Sequence, residues 1–178
     1  NNGKPKVIGG MPTLDFTETG GTLYSHGLVA ILLSEAFAMT EDPALLGPAQ
    51  AALNFSFYAQ NADGGWRYSP RSLDGDTSVT GWQIMALKSG MLAGLRPPPR
   101  VASRASQFLD SASAEGGARY GYLAAPAPAE GAERAPYNTT STLTAVGLLC
   151  RMYLGWSDED ERLARGVEQL AKAGPSRS

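Results

Sequence analysis

The first candidates for chemistry are polar residues at the predicted starts of two helices. His26 is the only histidine of the 178-residue chain, and Asp76 follows Asp74 by two positions. A histidine can act as a general base or a metal ligand, although a lone histidine with no partner at ligand spacing more often has a structural role. Asp76 is typical of a helix N-cap, which we favour over a catalytic role, and Asp74 with Gly75 is typical of a turn.

Aromatic side chains flank these residues in the chain. Trp66, Tyr68 and Trp82 could each stabilise a carbocation through the π face of the ring. Ordinary packing is the alternative for each of them.

Two arginines follow Gly-Gly pairs at corresponding positions. Arg67 and Arg119 could bind a diphosphate or another anion. They could equally pair with Asp63 and Glu115 beside the turn, and we favour this ion-pair interpretation.

The spacing of apolar residues predicts six helices that would position these side chains. The predicted ranges are about 25–39, 43–60, 77–93, 100–113, 140–155 and 158–173. Residues 1–21 are rich in Gly, Thr and Pro without a sustained period, which predicts an irregular lead-in. No segment shows a sustained strand pattern, so we expect an all-α fold.

The predicted helices alternate in the distribution of their apolar residues. The second, fourth and sixth each carry one apolar stripe, which in the second consists of Leu46, Ala49, Leu53 and Phe57. The first, third and fifth are apolar on nearly every side, over 28–33, 82–87 and 143–150. Because a helix that is apolar all round is buried all round, the pattern predicts two layers, with an inner ring of helices sheathed by an outer ring.

The amino-acid sequence also contains an internal repeat. Residues 63–68, Asp-Gly-Gly-Trp-Arg-Tyr, recur 52 positions later at 115–120 as Glu-Gly-Gly-Ala-Arg-Tyr. The repeat predicts three helical hairpins over about 22–60, 77–113 and 138–173. The intervening stretch 121–137 is rich in Ala and Pro and is predicted to be a loop.

Gln60, Gly64 and Trp66 match the Gln-x3-Gly-x-Trp core of a known repeat. The chain therefore resembles the prenyltransferase and squalene-oxidase repeat superfamily, in particular squalene-hopene cyclases and uncharacterised bacterial proteins that carry this repeat. The second copy is degenerate, with Ala112 for Gln and Ala118 for Trp. The resemblance implies an α/α toroid, a ring of inner and outer helices around a central cavity.

Such toroids usually contain five to seven hairpins, and this chain has three. We therefore expect an incomplete ring that is a fragment of a longer protein. Its exposed apolar surface would be covered by the remaining toroid repeats of the parent protein or by self-association.

The resemblance also implies roles for individual residues. Squalene-hopene cyclases carry Asp-x-Asp-Asp-Thr-Ala where this chain has Asp74-Gly75-Asp76-Thr77-Ser78, and the third residue of their motif protonates the substrate. Asp76 would be this acid, although Thr77 replaces a carboxylate that helps to tune it. The cavity for a hydrophobic, isoprenoid-like ligand would be lined by Trp82, Tyr68, His26, Trp66, Tyr24 and Thr140. In the family's repeat, Trp66 would brace the preceding helix.

Composition excludes several classes of function. A net charge of −2 provides no general attraction for nucleic acid. The longest apolar run has six residues, 28–33, so no transmembrane segment is predicted. The single Cys150 excludes an internal disulfide, is compatible with a reducing, cytoplasmic compartment and has an inert, packed character. No zinc triad of the prenyltransferase type and no phosphate-binding Gly-rich loop is present, so neither a metal nor a cofactor is predicted.

Three hypotheses of function remain at this point. The first is a repeat module of a larger bacterial protein that binds or scaffolds without catalysis. The second is a terpenoid-cyclase-like enzyme in which Asp76 is the acid. The third is a polysaccharide-acting enzyme, because α/α toroids also host lyases and hydrolases of that kind.

Overall fold

A computed structural model describes residues 5–18, 22–127, 129, 132 and 135–174 of the chain. It is mostly helical, and the six predicted helices are confirmed. They are α1 (Leu23–Thr40), α2 (Pro43–Ala59), α3 (Thr77–Leu92), α4 (Pro99–Ser111), α5 (Ser141–Tyr153) and α6 (Glu161–Ala173). The described residues also form two small antiparallel sheets, β1 (Pro5–Ile8) with β2 (Met11–Leu14) and β3 (Ser113–Ala114) with β4 (Arg119–Tyr120).

Short polar side chains explain where most of the helices begin. Thr22, Asp42, Asp76, Thr140 and Asp160 are N-caps whose side chains accept a hydrogen bond from a backbone N–H group of the first turn. Such a bond satisfies a donor that has no partner within the helix. Thr140, which the resemblance placed in the lining of a cavity, is exposed, and its side chain caps α5.

The helices pack as two rows. In the inner row α3 lies between α1 and α5, and in each hairpin the inner helix packs against the helix that follows it, α2, α4 or α6. The helix contacts therefore follow the order of the three predicted hairpins.

The burial of several helices differs from the prediction. α5 exposes Leu149 and Met152, and α6 exposes Val167. α1 is not buried on every side, because it buries the face with His26, Ala30 and Ser34 and exposes Leu28 and Leu32. α2 is more buried than an outer amphipathic helix should be. Residues 51–56 are all buried, whereas Leu46, assigned to the apolar stripe, is exposed.

The β1–β2 hairpin explains the burial of α2. The irregular structure expected over 1–21 is wrong for this part, because the strands pair in register from Pro5 with Leu14 to Ile8 with Met11. Gly9 and Gly10 form the turn at φ 57° and 80°, which a tight hairpin turn requires and glycine adopts without strain. β2 packs on α2, and Asn54 Nδ2 donates to the Pro12 carbonyl at 2.8 Å.

The internal repeat has an offset of 54 residues in the structure. The backbone N–H of Leu23 donates to the Tyr68 carbonyl at 3.0 Å, and that of Thr77 donates to the Tyr122 carbonyl at 2.9 Å. Tyr122 is therefore the counterpart of Tyr68, and the 52-residue offset taken from the letters is wrong in this part of the turn.

The corrected offset changes the counterpart of Trp66. Its N–H donates to the Thr80 hydroxyl, and the N–H of Tyr120 donates to the equivalent Thr144 hydroxyl. Tyr120, which is fully buried like Trp66, fills the tryptophan position that the sequence assigned to Ala118. The second copy of the motif thus keeps a buried aromatic brace, displaced by a two-residue insertion.

Candidate functional site

Asp76 is fully buried. It directly precedes α3, at the end of the loop that contains Trp66. Its Oδ1 atom accepts hydrogen bonds from the Val79 N–H and the Ser78 hydroxyl, both at 2.8 Å. Its backbone N–H donates to the Trp66 carbonyl at 2.9 Å. These contacts confirm the N-cap interpretation. The Oδ2 atom is buried and has no hydrogen-bond partner among the described residues, which is an uncommon state for a carboxylate oxygen.

Tyrosine hydroxyls gather beside this carboxyl group. The Tyr24 hydroxyl is hydrogen-bonded to Ser78, which itself donates to Asp76. The Tyr68 and Tyr122 hydroxyls bond each other at 2.6 Å, and the rings of Tyr24 and Tyr68 lie 6.0 Å apart. Burial is the main cause that raises the pKa of Tyr24 and of Tyr122, and the negative charge of Asp76 adds to it. Both phenols therefore stay protonated at neutral pH and can donate hydrogen bonds.

Asp74 does not join Asp76 in this group. Its carboxylate is exposed and forms an ion pair with Arg67 at 2.6 Å. Arg119 pairs with Glu115 at 3.1 Å, so the ion-pair interpretation of both arginines is confirmed, with Asp74 in place of Asp63 as the partner of Arg67. Asp63 instead accepts from the backbone N–H groups of Gly65 and Gly75.

A groove of about 280 Å³ begins next to Tyr24 and Ser78 and runs between the helices of the inner row. Trp82 and Met85 of α3 form its floor together with Val146 and Leu149 of α5. The structure thus brings Tyr24 and Trp82 together in one depression. It is open to solvent and mainly apolar.

The apolar surface extends beyond the groove along α1. Tyr24, Leu28, Leu32 and Glu35 follow one another at helical spacing and therefore share one face of α1. Tyr24 lines the groove, and Glu35 accepts a hydrogen bond from Ser89 of α3. Leu28 and Leu32, which are 49% and 64% exposed, thus lie on the same side as the groove. We call this surface the inner face; it consists of Tyr24, Leu28, Leu32, Trp82, Met85, Val146 and Leu149.

His26 does not line this face. It is fully buried between α1 and α2, where Nδ1 accepts from the Phe16 N–H and Nε2 lies 3.1 Å from both the Ala52 carbonyl and the Ser56 hydroxyl. The ring is therefore a neutral Nε2–H tautomer. Burial lowers its pKa from 6.5 to about 4, and both nitrogens are engaged, so it has a structural role.

Trp66 is likewise a brace and not a lining residue. Its side chain is fully buried in the core, and Nε1–H donates to the Ser56 carbonyl of α2 at 2.8 Å. Gln60 supports the same turn, since its Nε2 donates to the carbonyls of Gly64 and Val101. Tyr68 occupies the rim, half exposed and bonded to Tyr122.

Sequence reasoning missed several residues of the site and its supports. Ser78 and Tyr122 belong to the hydroxyl cluster, and only the 54-residue repeat offset would have indicated Tyr122. Arg151 lies in the apolar α5 but is buried, bonded to Tyr120, Ser106 and Asp110. Its guanidinium also lies 4.9 Å from the ring centroid of Trp156, so the two side chains pack together.

The comparisons with known proteins gave no match. Neither a protein-family model, nor a curated protein, nor a solved structure matched the chain at a significant level. The function must therefore be argued from the site itself.

Three further features concern metal binding, the Cys150 thiol and membrane insertion. Within the described ranges, His, Cys, Asp and Glu side chains nowhere form a group of three able to hold a metal ion. Burial raises the pKa of Cys150 to about 12, so its thiol is unreactive. In the part of the chain that the structure describes, only α1 is long and apolar enough to cross a bilayer, and it is packed against α2 and α3. The structure therefore contains no clear membrane-spanning segment among these residues.

Proposed function

We propose that this chain is an α/α-toroid repeat module of the squalene-cyclase and prenyltransferase type, and that its inner face binds a hydrophobic, isoprenoid-like ligand. The observation that carries the proposal is the exposure of Leu28, Leu32 and Leu149 on the inner row of helices. Contiguous exposed apolar side chains indicate a binding surface. The two rows of helices and the repeat offset of 54 residues support this proposal, because a sector of a toroid consists of repeated pairs of inner and outer helices.

The chemistry of the inner face suits a ligand of this class. Aliphatic side chains and the Trp82 ring offer apolar contact, and the tyrosine hydroxyls at one end can bond a single polar group. Ligand sites commonly combine apolar walls with a few placed polar groups. A long, mostly hydrocarbon molecule with one polar end therefore fits the face, and the remaining repeats of the parent protein would enclose it.

Polar substitutions on the inner face should weaken binding of such a ligand. We expect a double Leu32→Gln, Leu149→Gln variant to bind farnesol at least about tenfold more weakly, because each exposed leucine loses apolar area that the ligand would cover. Binding is measured by quenching of tryptophan fluorescence. Both side chains are partly exposed in the free chain, so the substitutions leave folding intact.

Leu73→Gln is the matched control, because Leu73 is 97% exposed in the loop before α3, outside the inner face. This variant should bind farnesol as the parent chain does. Equal binding by all three chains would contradict the proposal. Native mass spectra that show a dimer, dissociated by the double substitution and carrying no ligand, would instead make the face an interface between copies.

A second candidate, a terpenoid-cyclase-like activity, is favoured by the unpartnered Oδ2 atom of Asp76. Oδ1 is held by Val79 and Ser78, so Oδ2 is the oxygen that would carry the proton in the acid form of Asp76 that this reaction requires. In the proposed reaction, that proton passes to a terminal alkene carbon of the substrate. A carbocation and the Asp76 carboxylate result, and loss of a proton from the cyclised cation restores the acid. Trp82 and Tyr24 would stabilise the cation.

Asp76→Asn tests this activity, because asparagine is as good an N-cap as aspartate but cannot supply the proton. If the chain cyclises squalene, the variant should lower the rate of product formation by about 10²–10⁴-fold, as measured by gas chromatography. Asp74→Asn, at an exposed ion pair, should leave the rate unchanged. Absence of cyclic product with the parent chain, or an equal rate for Asp76→Asn, would contradict the cyclase hypothesis and leave the binding module in place.

A further inference from the structure

Three arginines line one cavity that lies outside the inner face. The cavity has a volume of about 280 Å³ and lies between the turn of the β1–β2 hairpin, the end of α2 and the start of α4. Arg71 reaches it from the loop after α2, and Arg100 and Arg104 reach it from α4. It shares no residue with the inner face, so it is a separate site.

The positive charge of this cavity is not neutralised. No carboxylate is among the residues that line it. The ion pairs formed within the described part of the chain use the cations of Arg67, Arg119, Arg151, Arg162 and Lys172 instead. Three guanidinium groups are thus concentrated in one small cavity of a chain whose net charge is −2.

The three arginines make different contacts. Each keeps guanidinium N–H groups that form none of the hydrogen bonds found among the described residues. Arg104 uses Nη2 to donate to the carbonyls of Asn61 and Ala62. The Arg71 guanidinium lies over the Tyr58 ring at 5.5 Å, and its residue has a left-handed backbone with φ 55°. The side chain of Arg100 makes none of the hydrogen bonds found among the described residues, and it is exposed.

The start of α4 adds to the positive potential. Its N-cap, Pro98, makes no side-chain hydrogen bond to the first turn. The N–H groups at a helix start carry partial positive charge and attract anions. Pro98 and Pro99 have no N–H group, and the Val101 N–H donates to the Pro98 carbonyl. This helix end therefore contributes mainly through its dipole, beside the three arginines that line the cavity.

The cavity is not a by-product of the repeat. Arg71 donates its backbone N–H to the Ala59 carbonyl, and Ala125 donates to the Ser111 carbonyl in the same way, so Ala125 is the counterpart of Arg71. By the same alignment of helix ends, Asp110 stands where the first repeat has Tyr58. The second repeat therefore has the same turn with Ala125 in place of Arg71, and the basic cavity is specific to the first repeat.

We propose that this cavity binds a small molecule through a phosphate or diphosphate group. Guanidinium groups match the geometry of phosphate oxygens and form charge-assisted hydrogen bonds with them. The volume lies at the lower end of the range for ligand sites, which favours a small organic phosphate. Phe57 and Tyr58 supply an apolar wall for the part of the molecule that carries the anion.

Isothermal titration calorimetry of the full chain with inorganic pyrophosphate tests the site at low ionic strength, where screening is weak. We expect saturable binding with a Kd below about 1 mM. Arg100→Gln should weaken it at least about tenfold, since one charge-assisted bond is lost. Because the Arg100 side chain has no structural bond, the thermal midpoint should not change. Arg71→Asn provides a second variant, as asparagine tolerates the left-handed backbone.

Arg165→Gln is the control, since it removes one positive charge at an exposed position of α6, away from the cavity. It should leave the affinity for pyrophosphate unchanged. The proposal is overturned if the parent chain shows no saturable binding, or if Arg165→Gln and Arg100→Gln weaken it equally, which would indicate a general charge effect. Citrate that binds as tightly as pyrophosphate would overturn the assignment of a phosphate group. None of these outcomes depends on farnesol binding at the inner face.

Discussion

Replacing Trp66 with alanine is expected to lower the free energy of unfolding by about 3–5 kcal/mol, the range for large-to-alanine substitutions in cores. The side chain is fully buried and belongs to the main apolar cluster, with Phe55, Phe108 and Val79. Its loss leaves a cavity where α2, α3 and α4 meet. It also removes the hydrogen bond from Nε1 to the Ser56 carbonyl. Urea unfolding followed by circular dichroism measures the change.

Trp82→Ala is the matched control for this prediction. Trp82 is the same residue type, but it is only partly buried and lies on the inner face. Its removal should lower the free energy of unfolding by less than half as much, because less of its area is removed from water on folding. If the two substitutions cost equal stability, the brace role of Trp66 is wrong. The pair also separates functions, since Trp82→Ala should affect ligand binding more than stability.

The helices could be predicted from the sequence because their signals are local. Asp76, Asp42 and Thr140 precede apolar periodic segments, and each of them caps a helix in the structure. The Gln60 and Trp66 motif likewise implied that Trp66 braces the preceding helix, and Trp66 Nε1–H donates to the Ser56 carbonyl of α2. Such features depend on residues a few positions apart, which a single sequence displays directly.

The burial of whole faces could not be predicted, because it depends on distant segments. The β1–β2 hairpin consists of two four-residue strands, too short to give a period, and it covers α2. The apolar residues of α1 indicated a buried helix, although Leu28 and Leu32 are exposed. An apolar helix face indicates that another surface covers it. The sequence does not show whether that surface belongs to this chain or to another molecule.

The functional clusters were hidden for a related reason. Tyr24, Asp76 and Tyr122 come from three separate turns, and a two-residue insertion before Tyr120 masked the equivalence of Tyr68 and Tyr122. The basic cavity joins Arg71 to Arg100 and Arg104 across about thirty positions of sequence. Matching backbone hydrogen bonds establish a repeat offset of 54 residues. The amino-acid sequence alone did not reveal this offset.

Lowering the pH should destabilise the fold through His26. Burial lowers the pKa of this histidine from 6.5 to about 4 in the folded state, and the weaker opposing effect of the Asp15 charge is included in that value. Above pH 6.5 the residue is neutral in both the folded and the unfolded chain, so it contributes no pH dependence. Between pH 6.5 and 4 only the unfolded chain takes up the proton, and stability falls as the pH falls. The loss attributable to His26 should reach about 3 kcal/mol at pH 4.

His26→Gln provides the comparison that isolates this effect. Glutamine offers an N–H donor for the Ala52 carbonyl and an oxygen acceptor for the Phe16 N–H, but it does not titrate. Because His26 is the only histidine, carboxylates are the other side chains that titrate in this window, and they are the same in both chains. Urea unfolding at pH 7, 6, 5 and 4.5 should show the parent chain losing more stability than the variant. Parallel curves would mean that the pKa of His26 is the same in the folded and the unfolded chain, and the assignment of a folded-state pKa lowered by burial would then be wrong.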